Sequence, residues 1–206
     1  MIRHTIGNPV IVVKTDEIFS LSTTDIIEQF CLKNFSPWSA EWVIALKKQI
    51  SLIERVASTR DGNRVTISVS GMPLIFRVND DCAIDSVGQV HAIDQINQEI
   101  FAKLTPIRVI KKGDIFEPEF KLFIQNIPAF IKDDCLISWH SPYEIYLKPI
   151  IGDNIVIIRY DKIPTQEQLY IGKHLAQENA VKKKEMRSID FRFTDQIVLG
   201  IREIVF

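Results

Sequence analysis

Histidines, paired carboxylates and cysteines are the side chains in this sequence that could catalyse a reaction or hold a metal. The four histidines lie dozens of residues apart, so their spacing alone assembles no metal site. Two acidic pairs, Asp80-Asp81 and Asp133-Asp134, are sequence neighbours. Neighbours on an extended chain point to opposite sides, so neither pair could share a proton as an acid–base dyad.

The three cysteines are equally unpromising as reactive groups. Cys31, Cys82 and Cys135 are far apart and odd in number, which fits neither a disulfide framework nor a C-x-x-C motif. We expect three buried thiols that pack as small apolar side chains. Cys135 and His140 occupy odd and even positions of one predicted strand and therefore face opposite ways.

Phosphate-binding and hydrolase signatures are also missing, because the sequence has no G-x-G-x-x-G, P-loop, G-x-S-x-G or H-E-x-x-H. We therefore predict no catalytic residue, no cofactor and no metal site, and expect that the protein is not an enzyme. A soluble enzyme or ligand-binding protein, with a site assembled from dispersed residues, stays open as an alternative.

Composition narrows the class of partner. The 206 residues are 46% hydrophobic, and 25 Lys and Arg balance 26 Asp and Glu, as in an ordinary globular protein. Without a net positive field, no nucleic-acid partner is predicted. The longest apolar runs fall far short of the roughly 20 residues that cross a bilayer.

The most distinctive stretch runs from Arg187 to Phe206. Apolar Ile189, Phe191 and Phe193 alternate with polar Asp190, Arg192 and Thr194, and the alternation resumes at Ile197, Leu199 and Ile201. This period of two predicts a long strand in two parts, with one apolar and one charged face. A final strand often lies at a sheet edge, where its backbone can pair with another chain. Arg192 could clamp a partner carboxylate, or it could pair with Asp190 or Asp195, and Phe193 could equally be core.

The sequence predicts an α+β fold with two domains. The first domain, 1–78, is predicted as β-α-α-β-β, with Ser22 capping the first helix, Ala40 to about Leu52 forming the second, and Asp61-Gly62 turning a hairpin. The second, 79–206, is predicted as a larger, mostly antiparallel β-domain with flanking helices. Its predicted segments are a hairpin over 83–90, helices over 94–103 and 118–127 and from Pro164, and strands over 106–110, 135–140, 143–148, 155–160 and from 189.

Four stretches resemble the extracytoplasmic region of the FtsQ/DivIB family of bacterial cell-division proteins. They are Leu52 to Ala57, Val65 to Val69, Ala83 to Val90 (similar to "l-v-D-x-x-G-x-v") and Ile189 to Phe193 (similar to "V-D-L-R-Y"). The Trp-Pro usual before the third strand of that family's POTRA domain is Asp61-Gly62 here. The resemblance implies a POTRA-like domain followed by a β-domain.

The resemblance also implies a function. Such a protein is a non-enzymatic divisome scaffold at the division septum, held in the cytoplasmic membrane by a single N-terminal anchor that is absent from this chain, with this region in the periplasm. It binds FtsB-like and FtsL-like partners and helps regulate the septal peptidoglycan synthesis machinery. The partner-binding residues that we predict are Arg192, Phe193, Asp195, Ile197 and Val198. A secretion or outer-membrane-assembly POTRA protein is a further alternative.

Overall fold

The computed structural model of the chain describes residues 9–36, 39–150, 154–181, 187–193 and 196–200. The fold is α+β, as predicted. It forms two compact units, the first made of Met1–Leu74 and His91–Lys103 and the second of Ile75–Val90 and Leu104–Phe206. This division follows packing rather than one break in the sequence, so the predicted domains 1–78 and 79–206 stay a prediction. Among the described residues, no helix combines the length and apolar character that a bilayer crossing requires.

The first unit contains a three-stranded sheet and two longer helices. In chain order these are β1 Val10–Thr15, α1 Leu21–Asn34, α2 Glu41–Gln49, β2 Ile53–Asp61 and β3 Arg64–Gly71. The strand order is β1-β3-β2, with β1 parallel and β2 antiparallel to β3. The predicted order of strands and helices is therefore observed. Central strand β3 buries Val65, Ile67 and Val69, the alternation visible in the sequence.

The helix ends in this unit differ from the prediction by a few residues. Ser20, not Ser22, caps α1, because its Oγ accepts a hydrogen bond from the Thr23 backbone N–H at 3.2 Å. The second helix stops at Gln49, and Ile53 already starts β2. The prediction from apolar spacing therefore placed the end of this helix about three residues too late.

The larger sheet of the chain is a nine-stranded mixed sheet. Its strands are β4 Leu74–Val78, β5 Cys82–Asp85, β6 Val90–Ala92, β7 Thr105–Val109, β8 Cys135–Ser141, β9 Glu144–Pro149, β10 Ile155–Ile158, β11 Ser188–Asp190 and β12 Val198–Gly200. The strand order is β12-β11-β10-β9-β8-β7-β4-β5-β6. The pairs β4–β7, β7–β8 and β10–β11 are parallel, whereas β8–β9, β9–β10 and β11–β12 are antiparallel, so the sheet is mixed. The prediction of a mostly antiparallel domain did not include these parallel pairs. Strand β4 was not predicted.

Helices lie between these strands in the sequence. They are α3 Gln98–Lys103, α4 Pro118–Asn126, α5 Ala129–Asp134 and α6 Gln166–Val181, with 3-10 turns at Ile93–Gln95 and Lys112–Phe116. The predicted inner face of α4 is confirmed, since Phe120, Phe123, Ile124 and Ile127 are all buried. On α6, Ala176 is buried as predicted, but Leu175 is exposed. Helix α5 was not predicted.

The hairpin turn between β5 and β6 depends on an acidic side chain and a glycine. Buried Asp85 accepts hydrogen bonds through Oδ1 from the backbone N–H groups of Val87 and Gln89, both at 2.9 Å. Gly88 has φ +78°, and a Cβ there would lie 2.5 Å from Lys121 Cγ. The glycine is therefore required both by the turn and by the close approach of α4.

Alanine at Gly88 should lower the free energy of unfolding by about 2 to 3 kcal/mol, through left-handed backbone strain and the contact with Lys121. Gly62 is the matched control, because it has φ +56° but nothing within 4 Å of an added Cβ. Alanine at Gly62 should cost only about 1 kcal/mol. Urea unfolding followed by circular dichroism measures both. Equal losses would show that Lys121 does not restrict the turn.

Candidate partner-binding edge

The last described strand, β12, lies at one end of the large sheet. It pairs with β11 through Ser188↔Gly200, Ile189↔Leu199 and Asp190↔Val198. Among the described residues no strand pairs with its other side. The backbone groups on that side can therefore accept an added strand.

The long alternating strand expected from Ile189 onward is not what forms. β11 ends at Asp190, and all three of its residues are buried, so the predicted charged face does not exist there. β11 lies between β10 and β12, α6 packs against Ile189 at Gly172, and the Arg192 side chain lies over Asp190. Phe191 is buried as expected, whereas Phe193 is 49% exposed, which contradicts a purely core role.

Arg192 is held by Asp190, two residues earlier. The carboxylate accepts hydrogen bonds from the Arg192 backbone N–H at 2.9 Å, from Nε at 3.0 Å and from Nη2 at 2.7 Å. These bonds raise the pKa of the guanidinium. Asp190 thus fixes the orientation of the Arg192 side chain. Pairing with Asp190 was one of the alternatives for Arg192 in the sequence analysis.

A row of polar side chains continues from Arg192 across β9 and β8. Arg192 Nη1 lies 3.9 Å from Glu144 Oε1, and Glu144 accepts a hydrogen bond from the Tyr146 hydroxyl. Burial and this carboxylate raise the pKa of Tyr146 to about 12. The Tyr146 ring contacts His140, whose pKa is lowered by burial. Tyr146 thus stays protonated at neutral pH and orients Glu144 beside the arginine.

A cavity of about 530 Å³ adjoins this edge, and we call it the edge cavity. Its lining combines apolar and polar residues from α6, from the segment before α6 and from the segment between β11 and β12. The lining residues are Asp161, Lys162, Ile163, Pro164, Gln168, Phe191, Phe193, Gln196 and Ile197. The cavity can hold a side chain of a strand that pairs with β12.

Four of the five predicted partner-binding residues lie in this region. Phe193 and Ile197 line the edge cavity, Val198 starts β12 and is 40% exposed, and Arg192 follows β11. Asp195 lies outside the described residues. Glu144 and the α6 side of the cavity were missed because they are distant in sequence. The signal for the α6 side was the strand–helix–strand order of β10, α6 and β11, which predicts a parallel pair covered by α6. No local signal pointed to Glu144, which lies on β9.

The other candidate groups are dispersed or paired. In the described part of the chain, no three His, Cys, Asp or Glu side chains form a cluster that could hold a metal. Asp80 pairs with Arg77 at 3.0 Å, and Asp81 pairs with Lys112. All three cysteines are free and buried, and burial raises the pKa of each thiol. No family model and no curated protein matches this chain.

Proposed function

We propose that this chain is the extracytoplasmic region of a division scaffold of the FtsQ/DivIB type, and that it binds an FtsB-like partner by strand addition at β12. The first unit supports the POTRA-like interpretation, because its three-stranded sheet and two longer helices follow the β-α-α-β-β order. In this proposal the chain lies in the periplasm, behind a membrane anchor, and is concentrated at the septum. It holds FtsB-like and FtsL-like proteins so that septal peptidoglycan synthesis is regulated.

One observation carries the proposal: a sheet edge that is open among the described residues directly follows Arg192 and Phe193. Strand addition draws affinity from main-chain hydrogen bonds and specificity from alternate side chains. Val198 is exposed on the edge strand, and Phe193 stands in the adjoining cavity. An added strand could therefore form main-chain hydrogen bonds with β12 and side-chain contacts with Val198 and Phe193.

The charges at this edge indicate what the partner should carry. Asp190 occupies Nε and Nη2 of Arg192, and Nη1 is 3.9 Å from Glu144, beyond hydrogen-bond distance. Nη1 can therefore donate to a partner carboxylate, with the guanidinium already oriented by Asp190. We expect an acidic residue in the partner segment beside Arg192.

Proline at Ile197 tests the proposal, because proline removes a backbone donor and restricts the residue before it at the entrance to β12. Affinity for the soluble region of the FtsB-like partner, measured by titration calorimetry, should fall at least about 100-fold, as expected when main-chain pairing is lost. Ile197→Val is the matched control and should bind normally. Binding by Ile197→Pro at the wild-type affinity, with cooperative unfolding retained, would exclude this edge as the partner site.

A further inference from the structure

A second cavity, of about 430 Å³, lies in the second unit away from the partner-binding residues, and we call it the α6 cavity. Its floor is the place where β8 begins and β9 ends. Cys135 pairs there with Pro149, and the Ile150 backbone N–H donates to Asp134 O at 2.8 Å. The floor is therefore fixed by backbone hydrogen bonds. The full lining is Phe130, Asp134, Cys135, Pro149, Ile150, Gln166, Leu169, Tyr170 and Lys173.

One stripe of α6 forms a wall of this cavity. Gln166, Leu169, Tyr170 and Lys173 follow the spacing i, i+3, i+4 and i+7, which places them on one helix face. A different face of the helix, at Gly172, packs against Ile189 and Phe191. Within the stripe, Leu169 packs partly against the core, whereas Gln166, Tyr170 and Lys173 are exposed.

The walls are largely apolar and partly open to solvent. Phe130 and Leu169 are half-buried against the core cluster, while Tyr170 is 72% exposed and Ile150 65% exposed. Pockets of 300 to 1,000 Å³ with apolar walls and a few polar groups are typical of small-ligand sites. The α6 cavity has this size and this chemistry.

Two charged side chains, Lys173 and Asp134, stand in the lining, and neither makes an ion pair with another described residue. Their effects on Cys135 at the floor differ in size. Burial raises the pKa of the thiol, Lys173 lowers it, and Asp134 raises it by less than Lys173 lowers it. Lys173 therefore acts on the thiol at the floor more strongly than Asp134 does. Burial thus disfavours the thiolate form of Cys135.

We propose that the α6 cavity binds a small amphipathic carboxylate, with its apolar body between Phe130, Leu169 and Ile150 and its carboxylate on the Lys173 ammonium. The cavity volume lies near the lower end of the range for ligand pockets, and it fits a carbon chain of about eight to ten atoms. A ligand this small binds with a dissociation constant on the order of millimolar. The α6 cavity is separate from the β12 edge, so the ligand-binding proposal can be tested independently of the proposed scaffold function.

Octanoate and octylamine test this site, since they share one apolar body and carry opposite charges. Titrated into the ¹⁵N-labelled full chain, octanoate should produce saturable amide shifts around residues 130–135, at Ile150 and around residues 166–173. Octylamine should bind at least about five-fold more weakly. Lys173→Gln should reduce octanoate affinity to the octylamine level, whereas the matched control Lys162→Gln, in the edge cavity, should leave it unchanged.

Three results would overturn the proposal. They are the absence of saturable shifts in those segments, equal affinities for the two ligands, and an equal loss of octanoate affinity in both lysine variants. Leu169→Trp, which fills the cavity without touching the charge, should abolish the shifts. Retained octanoate binding by a folded Leu169→Trp protein would also count against the cavity as the site.

Discussion

Replacing Asp190 by alanine should lower the free energy of unfolding by about 3 kcal/mol, because it leaves the guanidinium of Arg192 without its main partner. The Asp190 side chain is only 10% exposed and accepts three donors of Arg192. Without Asp190, the Arg192 side chain is also free to turn toward Glu144. The guanidinium is then no longer oriented in advance for a partner carboxylate, so affinity for an FtsB-like partner should fall about ten-fold. Urea unfolding and titration calorimetry measure the two effects separately.

The chain contains a matched control for this pair. Arg159 and Asp161 form the same two-residue fork, at 2.9 and 2.7 Å, but the Asp161 side chain is 41% exposed. Solvent screens an exposed pair, so Asp161→Ala should cost less than about 1 kcal/mol. A loss for Asp161→Ala as large as that for Asp190→Ala would show that burial does not decide the strength of these forks.

Replacing Trp139 by alanine should have the largest effect on stability, about 3 to 5 kcal/mol. The indole is fully buried in the centre of β8. It makes an edge-to-face contact with Phe120, with ring centroids 4.9 Å apart, and a tilted contact with Phe123 at 5.5 Å. Alanine would leave a cavity between the sheet and α4.

Phenylalanine at Trp139 separates packing from hydrogen bonding. The buried Nε1–H of Trp139 has no hydrogen-bond partner among the described residues. Trp139→Phe removes this donor and keeps a ring against Phe120, so it should cost less than about 2 kcal/mol. Circular dichroism during urea unfolding compares the variants. A larger loss for phenylalanine than for alanine would refute the packing argument.

Local patterns predicted much of the fold. The Asp61-Gly62 turn dipeptide predicted the position of the first hairpin. The spacing of Phe120, Phe123 and Ile124 predicted α4 and its buried face. These features depend on neighbours a few residues away, which a single sequence displays. The α+β class followed from them.

Long-range pairing was harder to predict. Alternation from Ile189 to Phe193 indicated a strand with a charged face, but β11 lies between two strands and buries Asp190. Which strand occupies the edge depends on the whole sheet order. At the candidate site, Arg192 and its neighbour Asp190 were both identified from the sequence. Glu144 and the edge cavity were not, because they meet Arg192 only after β9, β10 and α6 are placed.

The division of the chain into two units has an evolutionary consequence. The chain passes between the units three times, after Leu74, Val90 and Lys103. A fragment ending at Leu74 would lack Ile96, which forms a β-bridge with Phe19, and Asp94, whose carbonyl accepts the Ser20 hydroxyl at 2.6 Å. Gene recombination at one breakpoint therefore cannot separate the two units without dividing one of them.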